Sequence, residues 1–252
     1  MLNNFFMIVG GQKCGTTSMH NWLDQHPHIC MSSHKEPKFF EIDYHMGATW
    51  YEESYYTSGY NFNGEARVQN ILVKYVPERI KLYNPNTKIV IMLRNPVDRF
   101  ISAWNHFKVM RPGREIRTLE QAINEGIENY DLDCFDSEEK FYANLDPRGG
   151  PYGGRYLEHG MYAHHIQRFN AMFDTQVLIL DDLIANPLSE YSDMLGFIGA
   201  KAFVPDFVKL NVKNSQHAYP MERELLKSLY RDSVADLSNG LKRDLTTEWG
   251  FK

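Results

Sequence analysis

The stretch Phe6-Met7-Ile8-Val9-Gly10-Gly11-Gln12-Lys13-Cys14-Gly15-Thr16-Thr17-Ser18 is an apolar run that passes through glycines into a helix-like segment. Glycines let successive backbone N–H groups converge on an anion, and the N-terminus of the following helix adds partial positive charge. Gly11, Gln12, Cys14 and Gly15 offer backbone donors, while Lys13 and the hydroxyls of Thr16, Thr17 and Ser18 add side-chain donors; the loop is predicted to hold a phosphate-like group. Gly10 and Gly15 have the spacing of a nucleoside-triphosphate loop, GxxxxGK[ST], but Thr16 stands where such a loop has its lysine, and the lysine falls earlier, at Lys13. A kinase lysine must reach the β- and γ-phosphates from the helix start, so its displacement points to a donor with a shorter phosphate chain. The competing reading is a plain strand-to-helix turn with a solvated lysine.

Around this loop, four apolar runs bounded by turn residues read as buried parallel strands: Phe5–Val9, His28–Met31, Lys88–Leu93 and Gln176–Leu180. Helical patterns lie between them at Thr17–Gln25, Val97–Met110 and Tyr162–Met172. Such alternation, with crossovers longer than a hairpin, predicts an α/β fold with a central parallel sheet covered by helices. The interval 111–160 breaks the rhythm: it is polar, carries Pro112-Gly113, Arg148-Gly149-Gly150-Pro151 and Gly153-Gly154, and has one helical stretch, Thr118–Ile127. It reads as an insertion near the site within a single domain, 1–252. Pro187–Gly199 reads as a helix, Lys209–Pro220 as a loop and Met221–Leu245 as one or two terminal helices.

Composition excludes several classes. With 43% hydrophobic residues, 13% of the chain aromatic, the sequence can fill a core and is not disordered. Lys and Arg number 27 against 32 Asp and Glu, a net charge of -5 and a pI near 6.1, so there is no basic field for general nucleic-acid binding. Cys14, Cys30 and Cys134 form no CxxC pair, which argues against a disulfide framework and a structural zinc site; a reducing, cytoplasmic setting is expected. No run approaches the roughly 20 apolar residues of a membrane span, and Phe5–Val9 is too short for a signal peptide, so a soluble protein is expected. The ten histidines include no HExxH or i, i+4 pair, and His164 and His165 are adjacent and face different ways, so no metal site is expected.

A second motif, Lys88-Ile-Val-Ile-Met-Leu93-Arg94-Asn95-Pro96-Val97-Asp98-Arg99-Phe100-Ile101-Ser102-Ala103-Trp104, is a strand ending in an arginine, then Asn-Pro, then a helix. Ligands of open α/β sheets bind at the carboxyl ends of strands, a guanidinium fork suits a phosphate monoester, and Ser102 adds a hydroxyl donor. The alternative is a structural bridge between Arg94 and Asp98.

GxxKxGTTS after the first strand followed by LRNPxxRxxSxW after a later one resembles the sulfotransferase family that uses 3′-phosphoadenosine 5′-phosphosulfate (PAPS). Lys35-Glu36-Pro37-Lys38-Phe39-Phe40, Pro77-Glu78-Arg79-Ile80 leading to Tyr83-Asn84-Pro85, Gly160-Met161-Tyr162 and Ala218-Tyr219-Pro220 are similar to its heparan-sulfate-type and bacterial carbohydrate branch. The likeness runs over nearly the whole chain and is weakest in the insertion. It implies a three-layer α/β/α fold, Lys13 through Ser18 around the 5′-phosphosulfate with Lys13 near the bridging oxygen, Arg94 and Ser102 on the 3′-phosphate, and no metal. It also implies adenosine 3′,5′-bisphosphate as product, Glu36 as general base on the acceptor, and His34, Lys38, Tyr162 and His165 facing the acceptor. Independently, a carboxylate in reach of the acceptor can take its proton, and Lys35 and Lys38 favour its ionised form; packing of Tyr162 against the sheet and a solvated Glu36 are the bland alternatives.

The chain departs from the family twice. A Lys-Thr-Pro or Lys-Ser-Pro commonly follows Gly-Glu, but Gly64-Glu65 is followed by Ala66-Arg67-Val68, with Arg67 a candidate substitute that leaves an extended segment on the opposite side. Where relatives have Lys-Gly-Arg before the terminal helices, this chain has Asn214-Ser215-Gln216-His217, with His217 at the arginine position. The expected activity is sulfuryl transfer to a hydroxyl or amine of a saccharide or a small natural product. The rivals are a P-loop kinase or NTPase, with Val177–Asp181 as its Walker B strand, and a non-catalytic nucleotide-binding module.

Overall fold

The computed structural model describes residues 1–110, 113–144, 155–207 and 218–252. The chain divides into two compact units, Met1–Leu93 with Arg168–Val212, and Arg94–Gln167 with Lys213–Lys252. The first holds a five-stranded, all-parallel sheet in the order β2-β3-β1-β4-β5, made of β1 (Phe5–Ile8), β2 (Ile29–Met31), β3 (Phe62–Ala66), β4 (Lys88–Leu93) and β5 (Thr175–Ile179). The four expected strands are present with ends shifted by at most one residue. The fifth, β3, reads Phe-Asn-Gly-Glu-Ala and lacks the apolar run that marks a buried strand, yet it sits between β2 and β1.

Alternate side chains of β1 serve opposite faces of the sheet. Phe6 and Ile8 join Val90, Met92 and Leu178 in a core closed by α1 (Thr16–Leu23), α8 (Leu180–Ala185) and α9 (Pro187–Ile198) through Met19, Trp22, Leu183, Tyr191 and Met194. Phe5 meets edge-on Tyr51 of α2 (Ala48–Tyr55) at 6.4 Å and Tyr83 of α3 (Val76–Tyr83) at 5.5 Å. Helices therefore cover both faces, giving the three layers. Between β2 and α2 the chain makes a wide turn, Phe39–Asp43, whose Asp43 N–H reaches back five residues to the Lys38 carbonyl at 3.2 Å.

The second unit contains α4 (Pro96–Met110), α5 (Leu119–Glu128), α6 (Glu138–Ala143), α10 (Pro220–Leu241) and α11 (Leu245–Glu248); α7 (Tyr162–Asn170) has residues of both units. Asn95 starts α4 by accepting the Val97 N–H at 3.0 Å. Thr118 and Gln121 form a reciprocal capping box on α5, so the expected helix begins one residue later than its cap. The polar interval also carries α6, whose single turn and a half is set by the Ser137 cap. The terminal segment resolves into two helices because Lys242 takes a left-handed conformation after α10. The glycine-rich stretch 148–154, and 208–217 of the late loop with His217, lie outside the described residues. Among the described residues no helix is long and apolar enough to cross a membrane.

Candidate active site

At the end of β1 the chain reaches Gly10, where a Cβ would lie 2.7 Å from Met92 on the neighbouring β4; only glycine lets the loop pass this close. The loop is pinned there by Gly11 N–H donating to the Met92 carbonyl at 2.8 Å, and Cys14 N–H closes it on the Gly11 carbonyl at 3.3 Å. Gly15 enters α1 at a left-handed φ of 90°, with no side chain capping the helix and no acidic residue in its first turn. Ser18 N–H already donates to the Gly15 carbonyl at 3.0 Å, so α1 presents the amides of Thr16 and Thr17 and its positive dipole end without a competing carboxylate. Lys13 sits at φ 69°, a conformation that costs free energy in a residue with a Cβ and persists only where the surroundings impose it. Gln12, Lys13, Gly15 and Ser18 are half-buried and Thr17 is exposed, while Gly11, Cys14 and Thr16 are buried. The Cys14 side chain belongs to the core and its N–H is taken by the Gly11 carbonyl, so Cys14 shapes the loop.

Because β2, β3 and β1 are parallel neighbours, the segments leaving their carboxyl ends emerge at the same end of the sheet. Glu36, after β2, also has a positive φ, 68°. Its carboxylate is held from two sides, by Lys35 Nζ at 2.8 Å from Oε1 and Arg67 Nη1 at 3.5 Å from Oε2. Lys38, expected as a second partner of Glu36, is exposed and makes no ion pair among the described residues. His34 is exposed as well, its Nδ1 3.3 Å from the Ser33 hydroxyl and its ring edge-on to Tyr55.

Arg67, the candidate replacement for a missing lysine, is buried and answered by Glu41. Its Nε lies 2.7 Å from Oε1 and its Nη2 2.7 Å from Oε2 of that carboxylate. Burial pushes the Glu41 carboxyl above its ordinary range, and Arg67 opposes the shift. Beside this pair, Glu65 of β3 is fully buried, accepts hydrogen bonds from the Tyr51 hydroxyl and from Asn70 Nδ2, and is pushed up to about 8 by burial. Neither Glu41 nor Glu65 was anticipated as a buried carboxyl. The available signal was a glutamate set directly after Phe39-Phe40, and another inside an otherwise strand-length segment.

In the second unit, Arg94 and Ser102 are half-buried, and the Arg94 side chain makes no ion pair among the described residues. The alternative bridge to Asp98 is not formed, since Asp98 pairs with Arg223 at 2.8 Å. Two residues expected to face an acceptor are instead interior. Tyr162 is 1% exposed and donates its hydroxyl to the Arg94 carbonyl at 2.9 Å, and His165 is 1% exposed with Nε2 2.8 Å from the Glu158 carbonyl. Tyr162 thus holds the backbone at Arg94. The Walker B reading also fails on placement: β5 stops at Ile179, and Asp181 lies exposed in the first turn of α8.

Comparison with known proteins follows this geometry. The family model described as "Sulfotransferase domain" matches residues 4–251. A solved sulfotransferase from Alicyclobacillus acidocaldarius is 28% identical, with a TM-score of 0.78 over 99% of both chains. Among curated relatives, the mouse (Mus musculus) bifunctional heparan sulfate N-deacetylase/N-sulfotransferase 4 is 28% identical over 94% of this chain and 30% of its own length. The human (Homo sapiens) heparan sulfate glucosamine 3-O-sulfotransferase 6 is 26% identical over 79% of this chain and 53% of its own length. This chain therefore spans about a third of the first relative and about half of the second. With the family model covering almost every residue, from the strand before the Lys13 loop to the last helix, this chain belongs to the sulfotransferase domain family.

Proposed function

We propose that this chain transfers the sulfuryl group of PAPS to a hydroxyl or amine of an acceptor by in-line displacement. The observation that carries the reading is the start of α1: an uncapped, acid-free helix N-terminus behind a glycine loop, with Lys13 held at positive φ. That donor set fits a phosphosulfate, which needs several N–H groups and one cation close to the bridging oxygen. PAPS brings the sulfuryl group and a leaving phosphate. Lys13 and the amides at the start of α1, those of Thr16 and Thr17, stabilise negative charge on the leaving oxygen, and Glu36 takes the acceptor proton. Arg94 and Ser102 are assigned to the 3′-phosphate on the resemblance of their motifs, and His217 to the cofactor site at the position where relatives have an arginine. No step is assigned to a metal ion.

The acceptor is proposed to be a saccharide, in line with the heparan sulfate named for the relatives, with a small natural product as the second class. His34 and Lys38, exposed close in sequence to Glu36, are its proposed contacts. A single domain and a cytoplasmic setting complete the reading, the latter because Cys14, Cys30 and Cys134 form no CxxC pair in the sequence. The test is release of adenosine 3′,5′-bisphosphate from PAPS with a panel of saccharide and small-molecule acceptors in the presence of a chelator. Glu36→Gln is expected to lose about 10²–10⁴-fold in kcat while keeping nucleotide affinity. Magnesium-dependent phosphoryl transfer from ATP, or a fully active Glu36→Gln, would overturn the proposal.

A further inference from the structure

We infer that Arg67 is a positioning residue for Glu36, tying the loop that carries the base to a fixed post at Glu41. The inference rests on Glu36 acting as the base.

Glu41 qualifies as a post because its backbone and its carboxylate are both held. The Tyr75 hydroxyl donates to its carbonyl at 3.0 Å, and Arg79 Nη1 donates to the carbonyls of Phe40 at 3.0 Å and Glu41 at 3.2 Å. The Arg79 guanidinium is itself sandwiched over the rings of Tyr44 at 4.7 Å and Tyr75 at 4.5 Å. The Glu41 carboxylate then takes the Nε and Nη2 edge of Arg67 in a two-point contact, which fixes the plane of the guanidinium. Arg67 is anchored at its other end too, since its N–H donates to the Ile8 carbonyl of β1 at 3.0 Å.

The remaining nitrogen, Nη1, reaches Glu36 twice: the backbone carbonyl at 3.4 Å and carboxylate Oε2 at 3.5 Å. Glu36 is the residue that needs such a tie. Its φ of 68° is uphill for a side chain with a Cβ and persists only if the surroundings over-determine it. Lys35 also pairs with Glu36, but it is the adjacent residue on the same loop and cannot anchor that loop to the sheet. Arg67 is 4% exposed and leaves directly from the end of β3, so it carries the position of the sheet to the base. The cation expected to serve a ligand in place of the missing lysine is thus occupied in holding a catalytic carboxylate.

The test is a set of variants followed by kcat, KM for PAPS, adenosine 3′,5′-bisphosphate affinity and thermal unfolding. Arg67→Met with Glu41→Gln removes both charges of the buried pair, so no orphaned ion remains. Because misplacement by about an ångström costs on the order of 10²-fold, kcat should fall about 10²-fold with KM and nucleotide affinity unchanged. Arg67→Lys, which keeps a cation but loses the fork, should lose kcat in the same direction and serves if the double variant does not fold. In a Glu36→Gln background, Arg67→Lys should cost no further kcat, because no base is left to position; a purely structural role would cost again. Full kcat in a folded Arg67→Lys or double variant, or additive losses in the combined variant, overturns the inference while leaving Glu36 as base. Wild-type kcat in Glu36→Gln instead overturns the reading beneath it.

Discussion

Strands β3 and β4 lie on either side of β1, both parallel to it and both buried, yet they are made from opposite materials. β4 is Lys-Ile-Val-Ile-Met-Leu, apolar on both faces, and it supports the loop after β1 through backbone carbonyls and the Met92 side chain. β3 is Phe-Asn-Gly-Glu-Ala, with Gly64 making room for the Phe6 ring, Glu65 bonded to Tyr51 and Asn70, and Arg67 just past its end. The difference separates two tasks. A strand whose charged group stands past its end, as Arg94 does after β4, can be uniform and hydrophobic along its own length, whereas a strand that carries a carboxyl inside the sheet, as β3 carries Glu65, must bury polar atoms and supply partners for them.

If that division is right, damage to β4 should be felt in stability and damage around the loop in rate. Ile91→Ala, at a fully buried position of β4, should cost about 2–5 kcal/mol in a urea unfolding curve while turnover per folded molecule stays at wild type. Lys13→Ala should do the reverse, slowing PAPS turnover roughly 10²–10³-fold, about 2.7–4 kcal/mol of transition-state stabilisation, with the unfolding midpoint unchanged. Equal losses of rate in the two variants would erase the comparison. Gly64→Ala tests the room on β3: its Cβ would fall 2.2 Å from the Phe6 ring, an overpacking worth about 1–3 kcal/mol of stability by the same urea assay.

A separate test on β3 is a pH slope. Folded, Glu65 keeps its proton up to about pH 8, whereas its ordinary value is 4.5. Between those values the folded chain binds more protons than the unfolded one, so this group's contribution to stability declines as pH rises through that window. Thermal unfolding of Glu65→Gln followed from pH 5 to pH 8 should show a shallower decline than wild type; parallel profiles would mean that Glu65 is already ionised at neutral pH.

The same contrast explains which parts of the molecule can be read from sequence. β1 and β4 are runs of apolar, mostly β-branched or aromatic residues next to turn residues, and in the Lys13 loop Gly10 is demanded by close approach to Met92 and Gly15 by its positive φ, so both leave a local trace. β3 leaves none, because its burial is balanced by side chains distant in sequence: Tyr51 for Glu65 and Glu41 for Arg67. Glu36 and Lys13 could be picked out as residue types, but their positive φ values, and the tie from Arg67, exist only in the folded chain. Tyr162 and His165 show the converse. Each is a residue type at home in an acceptor site, and each is taken up by a carbonyl in the interior, of Arg94 and of Glu158.

On the proposed function, the loop from Gly11 to Ser18 serves a phosphosulfate donor and not a nucleoside triphosphate. Thermal unfolding in a chelator, with adenosine 3′,5′-bisphosphate, ADP and GDP compared in parallel, tests it most directly, since a ligand at about 100 times its Kd adds about 2.7 kcal/mol to stability. The midpoint should rise with adenosine 3′,5′-bisphosphate and stay unchanged with ADP or GDP. A midpoint raised by ADP or GDP on adding magnesium, and unmoved by adenosine 3′,5′-bisphosphate, would contradict it.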